Sequence, residues 1–425
     1  MTQLSLSPNN VDLTDAELFE RNEAHDVFRM LRREAPVHWN PANDVMKGFW
    51  NVTKYADVVE ISRNPELFIS SKGITQLDPV EPSPFDAAAQ GFGKMLITMD
   101  PPRHVRLRRL VNKGFTPRAV GAMEMHIREI VTGILDDIAA KGECDFVTEV
   151  AAQLPLAVIC EMMGLPKSDW QLMFELTNKV LGGGDPEYQT DVAEDQRGTV
   201  DAARQTILSG TGQMFGYFAQ CVQSRRKERK DDLVSLLCDS EIDGEALSDE
   251  EILFFSFLLI VAGNETTRNA ISGGLLALSE HPAEKQRLLD NPALIGTTGV
   301  EEILRWTSPV AHMARVATRD TVLRGQQIKE GQRLTMWYGS VNRDEDMFPD
   351  PYRFDVTRSP NEHLAFGIGE HFCLGAGFAR LELKVIFEEL LRRFPDVELA
   401  GPVERLRSAF IAGIKHLPVR YQRKG

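Results

Sequence analysis

Apolar residues recur along this chain mostly at every third or fourth position, the period of a helix with one buried face; short stretches repeat at every second position instead. Residues 15–35 have the helical period weakly, and Pro36 ends it. Val37–Trp39 and Gly48–Val52 alternate and predict two short strands, the second followed by a helix over 55–63. Residues 71–94 are rich in Pro, Gly, Asp and Ser and predict a long loop of the functional kind. Pro101 and Pro102, after Asp100, open a further helix. From Phe115 to about Ser240 the pattern is helical, as in Ile127, Ile130, Val131, Ile134 and Leu135, and the pair Met162 and Met163 belongs to core packing. Residues 182–203 are polar and read as mobile, and the charge run Arg225–Lys230 reads as solvated surface. Residues 309–329 and 331–338 alternate and carry β-branched side chains, which predicts a small antiparallel sheet. Ser408–Tyr421 reads as a hairpin whose tip, Phe410–Gly413, is apolar enough to touch a ligand.

The longest periodic stretch starts near Ser248, where Ser248 and Glu251 have the form of a capping box, and runs to about Glu280 before His281-Pro282. At ~1.5 Å per residue that is roughly 48 Å of helix. It is apolar on all sides and so belongs in the interior. Its middle, A-G-N-E-T-T-R-N over 262–269, is polar. Gly263 there costs about 1 kcal/mol relative to Ala, and a buried carboxyl without a partner costs more. A kink, a helix contact, or a local opening of the helix against a cofactor each gives a reason to keep such residues.

Composition narrows the class of function. Hydrophobic residues make up 43% and charged ones 26%, enough for a large core, and the net charge of −14 argues against nucleic acid as a partner. Residues 1–20 lack a signal-peptide pattern. The longest apolar run, Ile252–Ala262, is too short to span a bilayer. Five scattered cysteines suggest a reducing compartment. A soluble cytoplasmic protein is expected.

One cysteine stands apart. Cys373 lies in F-G-I-G-E-H-F-C-L-G-A-G-F-A, among Gly367, Gly369, Gly375 and Gly377, and a helix begins just after it. Glycines let a backbone approach a large flat group closely, and a helix N-terminus favours a thiolate. A thiolate so placed is a nucleophile or a metal ligand; a buried structural cysteine is the plain alternative. His371 shares a side with Cys373 but nothing brings imidazole to sulfur, and no second cysteine is near enough for a zinc site.

The pattern F-x-x-G-x-H-x-C-x-G resembles the haem-ligand loop of the cytochromes P-450. D-P-P-x-H-x-x-x-R at 100–108 resembles that family's propionate helix, and A-G-x-E-T-T at 262–267 its oxygen-activation motif. E-x-x-R at 302–305, with F-P-D-P-x-x-F-x-x-x-R at 348–358, resembles the paired segments that lock the haem side of the fold. The likeness runs through the chain in order from about residue 15. It implies one catalytic domain over 1–425, mainly α with a small β-rich part, in the triangular fold of the family with the long central helix (about 248–280) over the haem.

The resemblance further implies haem b with Cys373 as axial thiolate, a ligand that pushes electron density onto iron. His104, Arg108, Arg315 and His371 would contact the propionates, with Phe366 and Gly375 in the cofactor loop. Glu265 and Thr266 would deliver protons to dioxygen. Glu302, Arg305 and Arg358 would be structural. The pocket would be lined by Ile97, Leu258, Val261, Ala262, Ala311, Met313 and Ile411, all apolar. The implied reaction is monooxygenation of an unactivated C–H bond. The chain leaves no room for a fused reductase, so ferredoxin and ferredoxin reductase are the expected electron donors, docking on a basic patch of Arg106, Arg109, Lys113 and Arg380. G-F-T-P-R-A-V and G-I-K-H-L-P-V resemble hydroxylases of methyl-branched lipids and sterol side chains; D-P-A-L-I and N-R-D-E-x-x-F resemble monoterpene-alcohol hydroxylases. A haem-binding sensor without turnover, or a helical scaffold with a chance cysteine loop, are the readings outside this class.

Overall fold

The longest periodic stretch forms one helix, Asp249–Glu280, in the computed structural model, which describes residues 7–44, 46–80, 91, 93–242 and 244–422. Ser248 caps it: its Oγ accepts from the Glu251 N–H at 3.2 Å, and the Glu251 carboxylate accepts from the Ser248 N–H at 2.9 Å. The two halves of this central helix enter different cores. Ile252, Phe255 and Ile260 pack with Met163, Met214 and Phe218, whereas Ile271, Leu275 and Leu278 pack with Ile303, Leu304 and Phe387. The polar run 262–269 lies where one core gives way to the other. Its polarity is therefore confined to a seam and leaves both apolar clusters intact. Among the described residues no helix is long and apolar enough to cross a membrane.

A five-stranded sheet carries the β-rich part. Strands Val37–Asn40, Phe49–Val52, Arg333–Trp337, His312–Ala317 and Phe68–Ile69 lie side by side in that order. Within 309–338 the pairing is antiparallel as expected, Arg333–Trp337 against His312–Ala317, while the whole sheet is mixed because Arg333–Trp337 also runs parallel to Phe49–Val52. The register sets Leu334 opposite Arg315 and Trp337 opposite His312. Helix Arg103–Val111 and helix Ala376–Arg393 flank the cysteine loop.

Four expectations need correction. Residues 15–35 form two helices, Ala16–Glu20 and Ala24–Glu34, because Asn22 turns the chain with φ 58°. The polar segment 182–203 is folded rather than loose. Gln189 is buried, donating to the Gly183 carbonyl at 2.9 Å and accepting from the Gly198 N–H at 2.7 Å, and buried Asp185 accepts from the Arg407 N–H at 2.9 Å. Its polar side chains replace secondary structure as partners for the backbone. Arg225, in the charge run, is buried against Asp232 at 2.5 Å and donates to the Gly164 carbonyl at 2.9 Å. Ser408–Tyr421 is not a hairpin: Ile414–His416 pairs with Glu404–Arg405, and Pro418–Arg420 pairs with both Glu398–Leu399 and Glu143–Asp145. Part of the loop expected at 71–94, residues 81–90 and 92, lies outside the described residues.

Gly274 shows how tightly the central helix is packed. A Cβ there would lie 2.7 Å from Phe387 Cζ and 2.8 Å from Ile303 Cγ2, both on fully buried side chains. Alanine gains about 1 kcal/mol of helix propensity, but overpacking a closed core costs about 1–3 kcal/mol. Gly274→Ala is expected to lower stability, by up to about 2 kcal/mol, in denaturant titration; an unchanged or raised midpoint would show that Phe387 can move aside.

Candidate functional site

The cysteine loop is closed by its own backbone. The Cys373 N–H donates to the Phe366 carbonyl at 2.9 Å, and Gly367 and Gly369 make the turn at φ 67° and 78°. A Cβ on Gly369 would sit 2.5 Å from the Ser62 carbonyl oxygen, so only glycine fits. Of the five cysteines, Cys144, Cys160 and Cys238 are buried, Cys221 is half-buried and Cys373 alone is exposed. Burial pushes the Cys144 thiol up to about 11 and that of Cys160 up to about 12, which makes them inert packing groups. Desolvation also raises the thiol of Cys373, opposed by the Gly375 N–H, by Arg108 and Arg380, and by the Ala376 N–H. The sulfur thus sits where two cations and two N–H groups at the start of helix Ala376–Arg393 oppose the cost of burying its charge.

Around Arg108 stands a group of basic side chains. His104 is buried with no partner at either ring nitrogen, and its ring lies 4.2 Å from that of His371. The His371 Nε2 is 3.2 Å from the Ser70 hydroxyl. Arg108 donates to the Glu370 carbonyl at 3.1 Å and to that of Phe372. Arg315, also buried, donates to its neighbour's carbonyl, Ala314, at 2.7 Å. The acid acting on His104 and Arg315, Asp100, is occupied by the N–H groups of Ser70 and Ser71 at 2.7 and 3.2 Å. Desolvation and then Arg108 and Arg315 hold His104 down at about 4; desolvation, Arg315, His104 and Arg108 hold His371 at about 2. Buried polar groups without partners are costly. Two unpaired ring nitrogens among arginines fit a ligand that brings carboxylates, as haem does.

Ala262 and Thr266, four apart on the central helix, share its more open face. The helix is continuous here, contrary to the expected local opening: the Thr266 hydroxyl donates to the Ala262 carbonyl at 2.8 Å and the backbone ladder persists. Glu265 is buried on a different side, at about 100° from Thr266 around the axis. Arg268 donates to its Oε1, and the other arm of that guanidinium donates to Asn178 Oδ1 at 2.7 Å, on helix Trp170–Gly182. Burial raises the carboxyl's pKa, with Arg268 opposing, and its Oε2 has no partner. Arg268 and Asn178 are not among the residues expected at the site. The i, i+3 spacing in E-T-T-R signalled the first; nothing local signalled the second.

The residues expected to line the pocket divide among packing groups. Ile97, Leu258 and Val261 pack with the core around the first half of the central helix, Ala311 packs beside Trp337, and Met313 lies against the sheet core. Ile411 bridges to Val310, and the Ala311 N–H donates to the Phe410 carbonyl at 2.8 Å. Ala262 is the exposed one, Ile97, Leu258 and Met313 are half-buried, and Val261, Ala311 and Ile411 are closed over. Of the expected basic docking patch, Arg109 and Lys113 are exposed, whereas Arg380 is held by Glu301 at 2.7 and 2.9 Å, so its charge is largely neutralised. Glu302, Arg305 and Arg358 meet: Arg305 donates to both Glu302 oxygens at 2.7 Å, and Arg358 Nε to Glu302 Oε2 at 3.1 Å.

A lone cysteine loop, a cationic group and a central helix with a polar seam define a haem-thiolate protein, and the comparisons agree. The chain belongs to the cytochrome P-450 family, the haem-thiolate monooxygenases, matching the family described as Cytochrome P-450 over residues 188–291 and 297–407. It is 41% identical to the methyl-branched lipid omega-hydroxylase of Mycobacterium tuberculosis strain H37Rv, covering 97% of this chain and 96% of that one. It is 40% identical to the steroid C26-monooxygenase of Rhodococcus jostii RHA1, covering 98% of this chain and 85% of that one. A Mycobacterium marinum cytochrome P-450 solved in complex with pseudoionone shares its fold at TM-score 0.88 and 34% identity, covering 99% of this chain and 100% of that one.

Removing one charge of a buried cluster leaves its partners uncompensated. Glu302→Gln, which strips Arg305 and Arg358 of their anion, is expected to cost about 3–5 kcal/mol. The measurement is haem retention and unfolding midpoint, and a variant that holds haem normally would contradict the structural role of the cluster.

Proposed function

We propose that this protein hydroxylates an unactivated C–H bond of a methyl-branched lipid, fatty acid or sterol side chain, with Cys373 as the axial thiolate of haem b. The observation that carries this is Cys373, the exposed one of the five cysteines, with Arg108 acting on its sulfur and buried His104 next to Arg108 unpaired at both ring nitrogens. Arg108, Arg315, His104 and His371 would hold the carboxylates of the haem, and the loop from Phe366 to Gly375 would hold it at Cys373. Haem bound there supplies dioxygen activation, one oxygen atom entering the substrate and the other leaving as water. Thr266 holds a proton at Oγ1 on the open face of the helix. Glu265 reaches that face only by turning away from Arg268, so it is the more distant member of the relay. Electrons come from a ferredoxin and its reductase, docking near Arg109 and Lys113, in the cytoplasm, and the chain acts as a single catalytic domain.

The names of the two relatives support the lipid and sterol reading. Pseudoionone, a terpenoid ketone, in the M. marinum relative favours a second reading, terpenoid hydroxylation. A screen for substrate-induced spin-state shifts with branched fatty acids, sterols and terpenoids separates them; a shift with terpenoids alone would overturn the first.

Cys373→Ser is expected to abolish the red-shifted Soret band of the reduced carbon monoxide complex, and survival of the band would refute the ligand assignment. In Thr266→Ala, removal of a positioned proton donor is expected to divert electrons severalfold toward hydrogen peroxide. The check is the ratio of product formed to electrons consumed, and unchanged coupling would remove Thr266 from the relay.

A further inference from the structure

His312 opens the strand His312–Ala317, whose later residues Met313 and Arg315 belong to the proposed site. Along a strand successive side chains alternate in face, so the imidazole points away from the face that Met313 and Arg315 share. It is buried, with its ring 4.7 Å from that of Trp337 and 5.3 Å from that of Phe410. Both ring nitrogens are used. Nδ1 lies 2.9 Å from the Ala409 carbonyl oxygen, and Nε2 lies 3.1 Å from the Gln76 N–H nitrogen. A carbonyl only accepts and an N–H only donates. The ring is therefore the neutral tautomer with its proton on Nδ1, and burial, which holds it down at about 4, keeps it so.

Those two partners lie far apart in sequence, in two separate connections. One runs alongside the strand after Ser70, where the Ala314 N–H donates to the Ile74 carbonyl at 2.6 Å and Arg333 to that of Thr75 at 2.7 Å. The other is the turn that presents Ile411. Gln76 is the next residue along the first connection, and its N–H is taken by the imidazole rather than by a strand.

We propose that His312 is a positioning residue that fixes the width of the substrate pocket by clipping Gln76 to Ala409 from behind the strand. The proposal rests on the pocket assignment of Met313 and Ile411 made above. The neutral imidazole offers a donor and an acceptor on opposite edges of one rigid ring. Phenylalanine keeps the tilted ring contact with Trp337 and loses both hydrogen bonds; asparagine keeps a donor toward Ala409 and loses the acceptor for Gln76.

The test uses the haem-loaded full chain, with hydrogen–deuterium exchange and phenylimidazole affinity as readouts. In His312→Phe, amides of 74–78 and 408–413 are expected to exchange about tenfold faster, the scale of one lost hydrogen bond. In His312→Asn only the 74–78 amides should speed up. Phenylimidazole, read by its Soret shift, is expected to bind about threefold to tenfold more weakly to His312→Phe, with the carbon monoxide band unchanged. Exchange that does not change in either variant refutes the clip. Faster exchange with unaltered affinity refutes its control of the pocket. A wild-type protein that gives no spin shift with a branched fatty acid overturns the lipid reading alone, since neither of these readouts needs the natural substrate.

Discussion

The carboxylate of Glu302 is the point on which the haem side of this fold is built. It is fully buried and accepts from Arg305 at 2.7 Å through two nitrogens, from Arg358 at 3.1 Å, from Asn361 at 3.1 Å and from the Asp355 N–H at 2.9 Å. Arg305 in turn donates to the carbonyls of Asn342 and Pro351 at 2.8 and 2.9 Å. A buried ion pair is a weak source of net stability, but one whose every lone pair is satisfied admits a single arrangement. That arrangement fixes Asn342, which accepts from the Leu364 N–H at 2.7 Å, two residues before the Phe366 carbonyl that holds Cys373. The position of the sulfur thus descends from an ion cluster that has no chemistry of its own.

The opposite wall follows from a different constraint. A helix that serves two cores must be apolar on all sides at each end, and only its middle is free to be polar. Residues 262–269 use that freedom in two directions. Ala262 and Thr266 face the open side, while Asn264 and Arg268 reach Thr177 and Asn178 on helix Trp170–Gly182 at 3.0 and 2.7 Å. The seam therefore both furnishes a hydroxyl near the site and ties a neighbouring helix to the central one through buried polar bonds.

The parts legible in the sequence are those governed by local rules. The capping box at Ser248, the helix ends before Pro36 and Pro282, and the glycine turns around Cys373 depend on neighbours within a few residues. The Glu302 cluster was legible only through the resemblance, because an i, i+3 pair says nothing by itself. What stayed hidden depended on partners distant in sequence. The strand Pro418–Arg420 finds Glu143–Asp145 and Glu398–Leu399 instead of folding back on 414–416, and no turn signal announces that. The order in 182–203 rests on buried Asp185 and Gln189 bonding to backbone, which composition reads as mere polarity. Arg380 looked like a free surface charge until Glu301, from another helix, was seen beside it.

Two buried carboxyls differ in what surrounds them. Glu382, on the helix after the cysteine loop, is pushed up to about 8 by burial alone, and its Oε2 has no partner. Such a group remains protonated near neutral pH and needs no cation. Glu265 is equally buried, yet a guanidinium is held against it by Asn178. Burial alone would favour the neutral acid, and Arg268 opposes that by favouring the carboxylate. An acid subject to both influences has a proton affinity that depends on whether Arg268 stays in place, and general acid catalysis is most efficient when that affinity lies near the working pH. Helix Trp170–Gly182 carries Asn178, so movement of that helix would alter the grip of Arg268 and with it the proton on Glu265.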